Sequence, residues 1–127
     1  MKKLFFIFLF IASSVSAQTV LNPTKVIFTP SADHNTIVGG VAMVDHYELK
    51  HYLSGASSPV QVQDLGKPTP SGGVITANIT ALPLSSTNQY SAKVAAVGPT
   101  GVGESTASNT YFFVGSPGIP TNVSVSK

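Results

Sequence analysis

Along most of the chain apolar side chains recur at every second position, and clusters of Gly, Pro, Ser and Asn break the runs about every dozen residues. A period of two puts successive side chains on opposite faces of an extended segment, so each run reads as a half-buried strand. No segment carries a helical period. The pattern predicts strands over residues 24–29, 45–53, 60–65, 74–82, 89–97 and 108–114, with 121–126 as a further candidate. Short strands at this spacing, with turn residues between them, predict an all-β antiparallel two-sheet sandwich.

Two runs assign an inside and an outside. In DHYELKHYL, Tyr47, Leu49, His51 and Leu53 share one face and His46, Glu48, Lys50 and Tyr52 the other; Tyr47 and Leu49 are expected inward. In QYSAKVAAV, the same alternation sends Tyr90, Ala92, Val94 and Ala96 to the core and leaves Ser91, Lys93 and Ala95 outside. Upstream, ALPLSSTNQY sets an apolar residue and a short polar loop before Tyr90, a setting in which its hydroxyl can bond back to the loop backbone.

The first residues have a different pattern. MKKLFFIFLFIASSVSA combines two lysines, an apolar run and a small-residue finish at Val15, Ser16 and Ala17, the form of a cleavable secretory signal. Its apolar run is shorter than the ~20 residues that span a bilayer. The expected division is a signal peptide over 1–17, a folded domain over 18–114 and an extension over 115–127, in a protein that is secreted, extracellular or periplasmic, with no stable membrane anchor after cleavage.

Cleavage also changes the charge. Lys2 and Lys3 leave with the signal, and the five remaining lysines balance the five acids, so the pI near 9.0 belongs to the precursor. There is no Arg, the side chain that forks onto phosphate and guanine, and nucleic-acid binding is not expected. A surface without net charge permits self-association. With neither Cys nor Trp, the core of one domain must come from Val, Ile, Leu, Phe and Tyr alone.

The order Phe28-Thr29-Pro30, Tyr47-Glu48-Leu49, Leu84 followed by Tyr90, the run from Lys93 to Gly98, and Gly101 to Ser105 resembles a fibronectin type III domain over roughly residues 25–114. The resemblance covers strands B, C, C′, E, F and G. It implies a fibronectin-type-III-like sandwich used for cell adhesion, spacing or protein–protein interaction, without catalysis; no adhesive Arg-Gly-Asp tripeptide is present. Phe28 stands where the family has Trp, and the link from Phe28 to Tyr47 is longer than the family's common spacing.

The resemblance also points to a strand too few at one end and one too many at the other. QTVLNPTKVI before Phe28 has room for strand B and little else, so the first strand is expected to be missing, while IPTNVSV at the far end reads like that strand. Residues 115–118 extend at most ~14 Å, and a six-residue strand is itself ~20 Å long. Returning the tail to the first position of its own sheet, in the usual direction, is therefore sterically poor. The expectation is head-to-tail self-assembly, with Ile119, Val123 and Val125 completing the sheet of a neighbouring copy. A hairpin on the last strand, a tail without order, and a remnant of a longer tandem protein are the competing readings.

The remaining chemistry is sparse. His34, His46 and His51 are the three histidines; His46 and His51 face opposite sides of one strand and cannot share a metal ion. Asp33-His34 reads as a turn beside a solvated imidazole. No Gly-x-Ser-x-Gly elbow occurs and the acids are scattered singly, so no catalytic, cofactor or metal residues are assigned. Asn78-Ile79-Thr80 and Asn122-Val123-Ser124 match the short glycosylation acceptor pattern.

The long loop over 31–44 carries Ile37, Val38, Val41, Met43 and Val44, which must fold over the end of the sandwich or meet a partner. The loops over 67–73 and 98–103 read as plain turns. A glycan partner would call for exposed aromatics, for which Tyr52 and Tyr111 are the candidates. The function expected from the sequence is a non-enzymatic structural or interaction module, self-assembling through its tail; the alternative is a monomeric adhesion module binding protein or glycan through its pole loops.

Overall fold

The computed structural model describes residues 19–80, 88–115 and 117–127, and within them the protein is all-β and mostly antiparallel, with no helix. The segment over 1–17 expected to be a signal, residues 81–82 of the strand expected over 74–82, and Leu84 with most of the loop before Tyr90 lie outside the described residues. In chain order the strands are β1 (Val20–Leu21), β2 (Lys25–Phe28), β3 (Ile37–Val38), β4 (Val41–Ala42), β5 (His46–Leu53), β6 (Gln61–Gly66), β7 (Ile75–Asn78), β8 (Tyr90–Gly98), β9 (Gly101–Glu104) and β10 (Tyr111–Phe112).

The larger sheet has the order β1-β10-β8-β5-β6, with β9 also paired to β8; β2 and β7 form a second sheet, and β3 and β4 a hairpin of their own. The two longest strands make the spine of the larger sheet, pairing without a break from His46↔Val97 to Leu53↔Tyr90. β5 carries Tyr47 and Tyr52, and β8 carries Tyr90, Val94 and Val97, side chains that fit a pleated, half-buried surface.

Alternation along β5 and β2 sends Tyr47, Leu49, Val26 and Phe28 into the space between the sheets. There they form two linked clusters. One holds Leu49, Tyr90, Ala92 and Tyr111, with Val26 and Ile79 against it; the other holds Val44, Tyr47 and Ile75, with Phe28 against it, and Leu65 and Val94 touch both. Leu49 and Ile75 are fully buried, each worth roughly 1.5–3 kcal/mol. Side chains from both sheets meet in each cluster, a β-sandwich-like arrangement.

Four expectations change. A first strand exists: β1 is two residues long and lies beside β10, parallel to it, in the larger sheet and not beside β2. A turn at Asn22, which has a φ of 49°, lets so few residues hold both a strand and the reversal into β2. Residues 121–126 form no strand. The loop over 31–44 contains a hairpin, and the turn over 98–103 runs directly into β9. Finally, Ala95, expected outside, is fully buried: its methyl lies between Glu48 of β5 and Glu104 of β9, whose longer side chains cover it.

Candidate functional site

The smaller sheet leaves one margin unpaired. Among the described residues β7 is the only strand paired with β2. The Ile79 amide donates to the Thr24 carbonyl at 2.8 Å, which marks 24 and 79 as a hydrogen-bonded pair in the register that runs through Val26↔Ala77 and Phe28↔Ile75. Antiparallel alternation then directs the N–H and C=O groups of Lys25 and Ile27 away from β7, along the open margin.

Behind that margin the space between the sheets is not filled. An upper cavity of about 270 Å³ is lined by Phe28, Tyr47, Val94 and Ala96, with Ser31, Glu104 and Ser105 supplying polar groups. A lower one of about 160 Å³ is lined by Val20, Val26, Leu49, Ile79 and Tyr111, with Lys25, Ser108 and Asn109 supplying polar groups. Both lie between β2 and the strands that flank β8, so they follow one another along one groove. The facing chain explains the gap. Residues 101–109, GVGESTASN, are all exposed and bring no large apolar side chain to the interior. Lower down, Tyr111 and Val20 partly close the groove, and the lower cavity is the smaller. Inward-facing Val26, Phe28, Val94 and Ala96 are consequently only half-buried.

The segment facing the groove is itself stitched together with hydroxyls. Ser105 Oγ accepts from the Val94 amide at 3.0 Å and Ser108 Oγ from the Ala92 amide at 2.9 Å. The Ser105 and Ser108 amides donate back to the Val94 and Ala92 carbonyls. The irregular stretch between β9 and β10 thus stays attached to β8 while offering small side chains to the groove.

Two buried histidines stand at its ends. Tyr47 Oη accepts from the Ser31 amide at 3.1 Å and is hydrogen-bonded to His34 Nδ1 at 2.9 Å, with the imidazole stacked on its ring. His34, expected to be solvated, is buried because a tyrosine from another strand supplies its partner. His51 is fully buried, its Nδ1 hydrogen-bonded to Tyr111 Oη at 2.5 Å, and its Nε2 meets no partner among the described residues. Burial holds its pKa below the ordinary 6.5 and raises that of the Tyr111 hydroxyl.

The tail leaves from the lower end. Asn22 Nδ2 donates to the Val114 carbonyl at 3.1 Å and its Oδ1 accepts from the Val114 amide at 2.8 Å, so one side-chain amide pairs with the last residues of the sheet as a strand would. Beyond it Ile119, Val123 and Val125 are 90%, 80% and 97% exposed. Three aliphatic side chains therefore stand in water, uncovered by their own domain.

At the opposite pole the β3–β4 hairpin exposes Ile37, Val38 and Val41; Met43 is half-buried and Val44 is in the core. Gly39 and Gly40, with φ of 58° and 80°, form the tight turn. Gly98 holds the hairpin's base to the β8–β9 turn, because a Cβ there would lie 1.9 Å from the Met43 carbonyl oxygen.

The outer face of the larger sheet offers no aromatic platform. Tyr52 lies on that face as expected, yet it is 4% exposed. Lys93 Nζ sits 4.9 Å from its ring centroid and Glu104 accepts from its hydroxyl at 3.1 Å. Lys50, in hydrogen-bond contact with Glu104, holds that carboxyl below its ordinary range. Tyr111 is also buried, so neither of the two candidate aromatics is exposed for a glycan. Also on this face, His46 is bonded to Asp45 and Glu48, which raise its pKa. Among the described residues no group of three or more His, Asp or Glu side chains is placed to hold a metal ion.

The structure therefore does not gather the site candidates into one place: the tail residues leave from one pole and the hairpin residues crown the other. The open margin of β2 was not read from the sequence as a groove; its signal is the Gly- and Ser-rich run opposite Val26 and Phe28. Comparison of the chain with protein-family models, with curated proteins and with solved structures returned no match.

Proposed function

We propose that this is a secreted, non-enzymatic structural module of fibronectin-type-III-like architecture that assembles head to tail, the tail of one copy adding as a strand to β2 of the next. The observation that carries the reading is the margin of β2 left unpaired among the described residues, with mainly apolar cavities behind it. Strand addition is a recurring mode of recognition at such margins, because main-chain bonds supply affinity and pockets for alternate side chains supply selectivity. The pairing of β6-β5-β8 with β9 and β10 in one sheet, and of β2 with β7 in the other, supports reading these strands as B, C, C′, E, F and G of a domain like those of the fibronectin type III family. The place of the first strand of that family, beside β2, is the unpaired one.

The direction of the chain favours a partner over the tail's own domain. β10 delivers the tail at the lower end, where β2 starts, while an antiparallel strand on β2 must start at the upper end. Nine-residue β8 measures the sandwich at about 30 Å, and residues 115–118 reach less than half of that. A copy stacked beneath, upper pole first, meets the tail in the right direction.

The test is light scattering during size-exclusion of residues 18–127 and of the same protein lacking 117–127. Oligomers that grow with concentration only when the tail is present support the reading; monomers in both overturn it. Recovery of a secreted product beginning at Gln18 tests the signal sequence. The exposure of Ile37, Val38 and Val41 favours a second reading, a monomeric adhesion or ligand-binding module that uses this hairpin. Monomers that bind a protein or glycan partner, and lose it on Val38→Asp, would select that reading.

A further inference from the structure

Resting on the strand-addition reading, the geometry points to one register: Val123 of the tail opposite Phe28 and Val125 opposite Val26, so that these two valines enter the upper and lower cavities of the next copy. In the tail Ile119, Thr121, Val123 and Val125 alternate with Pro120, Asn122, Ser124 and Ser126, so an extended tail has one face that is aliphatic but for Thr121 and one polar. In the groove the inward-facing residues of β2 are Val26 and Phe28, two positions apart, and each lines one cavity. Two residues along a strand advance about 6.8 Å, so alternate tail side chains meet successive cavities.

Chemistry then selects among the slides that keep the aliphatic face inward. Antiparallel entry from the upper pole meets the upper cavity first. Seating Ile119 and Thr121, or Thr121 and Val123, puts a hydroxyl among mainly aliphatic and aromatic side chains, Val26, Leu49 and Ile79 below or Phe28, Val94 and Ala96 above, which costs free energy unless a polar group of the lining compensates with a hydrogen bond. Pro117 with Ile119 brings hydrocarbon to both but sets Pro120, which has no N–H, opposite Lys25 where a donor is needed; Val123 with Val125 meets both conditions. In that register Ser124 comes opposite Ile27 and Ser126 opposite Lys25, the two residues whose main-chain groups face the margin. Each pair exchanges two backbone hydrogen bonds. Pro120, which has no N–H, falls beyond the end of β2 where no donor is needed. Ile119, like Pro120, falls beyond the end of β2, on the side of the β3–β4 hairpin and its exposed aliphatics. Asn122 has a φ of 56° in the free chain and must turn to the extended region as it docks, a change Asn makes more readily than a β-branched residue.

The absence of Cys makes the register directly readable. A hydrogen-bonded antiparallel pair has Cα atoms about 5.5 Å apart, within disulfide range. The probe is an Ile27→Cys protein lacking 117–127, mixed under mild oxidation with full-length chains carrying Asn122→Cys, Ser124→Cys or Ser126→Cys one at a time. The mixed dimer is distinguished by mass from dimers of either chain alone. Ser124→Cys is expected to give the dominant mixed disulfide. As a second readout, Val125→Ala weakens assembly about tenfold, because two buried carbon groups are lost, while Ser124→Ala leaves it within about twofold. If assembly depends on the tail but crosslinking peaks at 122 or 126, or Val125→Ala changes nothing, the register is wrong and strand addition stands. If deleting the tail changes nothing and no position crosslinks, strand addition itself fails.

Discussion

The sandwich has two margins, and they are finished differently. Between β6 and β7 one side chain closes the gap: Gln63 Nε2 donates to the Asn78 carbonyl and its Oε1 accepts from the Thr80 amide, both at 3.0 Å. A side-chain amide carries the same donor and acceptor as a peptide group, so Gln63 pairs with β7 as a one-residue strand would. Between β2 and the strands flanking β8 nothing comparable exists among the described residues, and the inward side chains there remain half-exposed. An edge blunted by its own side chains has no need of another strand, whereas one left open over apolar cavities invites one. The difference lies in the facing residues: Gln63 reaches across on one side, and Gly103 and Ser105 cannot on the other.

If one margin is closed and the other open, truncations in the core should cost unequally. Leu49→Ala, at a fully buried site, is expected to lower unfolding free energy by about 3 kcal/mol. Val94→Ala, inward-facing but half-exposed above the open groove, should cost about 1 kcal/mol, since part of its surface never leaves water. Urea denaturation of the tail-deleted protein would compare them. Equal costs would mean that the groove is closed in solution.

The buried histidine of the open side adds a dependence on pH. His51 has its folded pKa below the unfolded 6.5 because charging it in the core is unfavourable. The unfolded chain therefore takes up a proton that the folded one refuses as pH falls below 6.5, and stability declines. His46 has the opposite sign: its folded pKa is raised by Asp45 and Glu48. What it contributes is complete below 6.5 and is lost as pH rises through the folded value. Unfolding midpoints measured between pH 5 and 7 should fall toward acid, and His51→Gln should flatten that slope while His46→Gln does not. A steeper acid slope in His51→Gln would place the titrating group elsewhere.

On the closed margin, Gln63→Ala should cost about 1 kcal/mol. Two hydrogen bonds are lost, but both lie where water can replace them. The sharper readout is local: the Thr80 amide should exchange faster with solvent while the Ile75 amide does not. Were the β6–β7 margin held by packing alone, neither rate would change.

How much of this was legible in the sequence depends on where each partner sits. Each of the six runs read from alternation holds a strand, four of them with ends within one residue, because period two is a local property of the chain; the run over 74–82 is strand only from Ile75 to Asn78 among the described residues, and the run over 108–114 only at Tyr111 and Phe112. The β3–β4 hairpin was read as a loop even though Ile-Val-Gly-Gly-Val-Ala holds a two-residue glycine turn between short aliphatic pairs, a signal that was present. β1 is too short for any pattern, and its pairing with Tyr111 and Phe112 lies at the far end of the chain. His34 and Tyr52 were misjudged for one reason. Alternation assigns a face, and only the fold shows that Tyr47 satisfies the first, and that Lys93 and Glu104 cover the second. The open margin was anticipated as a missing first strand; the segment expected to be absent exists, yet it pairs with β10 and leaves β2 unfilled.

The smallest expected effect concerns the point where the tail departs. Asn22 holds Val114 through two hydrogen bonds on an exposed face, so Asn22→Ala should reduce overall stability by less than about 1 kcal/mol. Its consequence is positional. Without the clamp the β10 end frays, the Val114 amide exchanges faster, and the tail starts from a looser anchor. Under the proposed strand addition, residues 115–118 would span the junction between poles, and freeing one more residue would lengthen that span. Asn22→Ala should therefore leave tail-dependent assembly intact while Gln63→Ala, on the margin away from the groove, leaves it equally untouched. A loss of assembly in Asn22→Ala alone would show that a fixed exit angle, and not reach, limits how the tail finds the open edge.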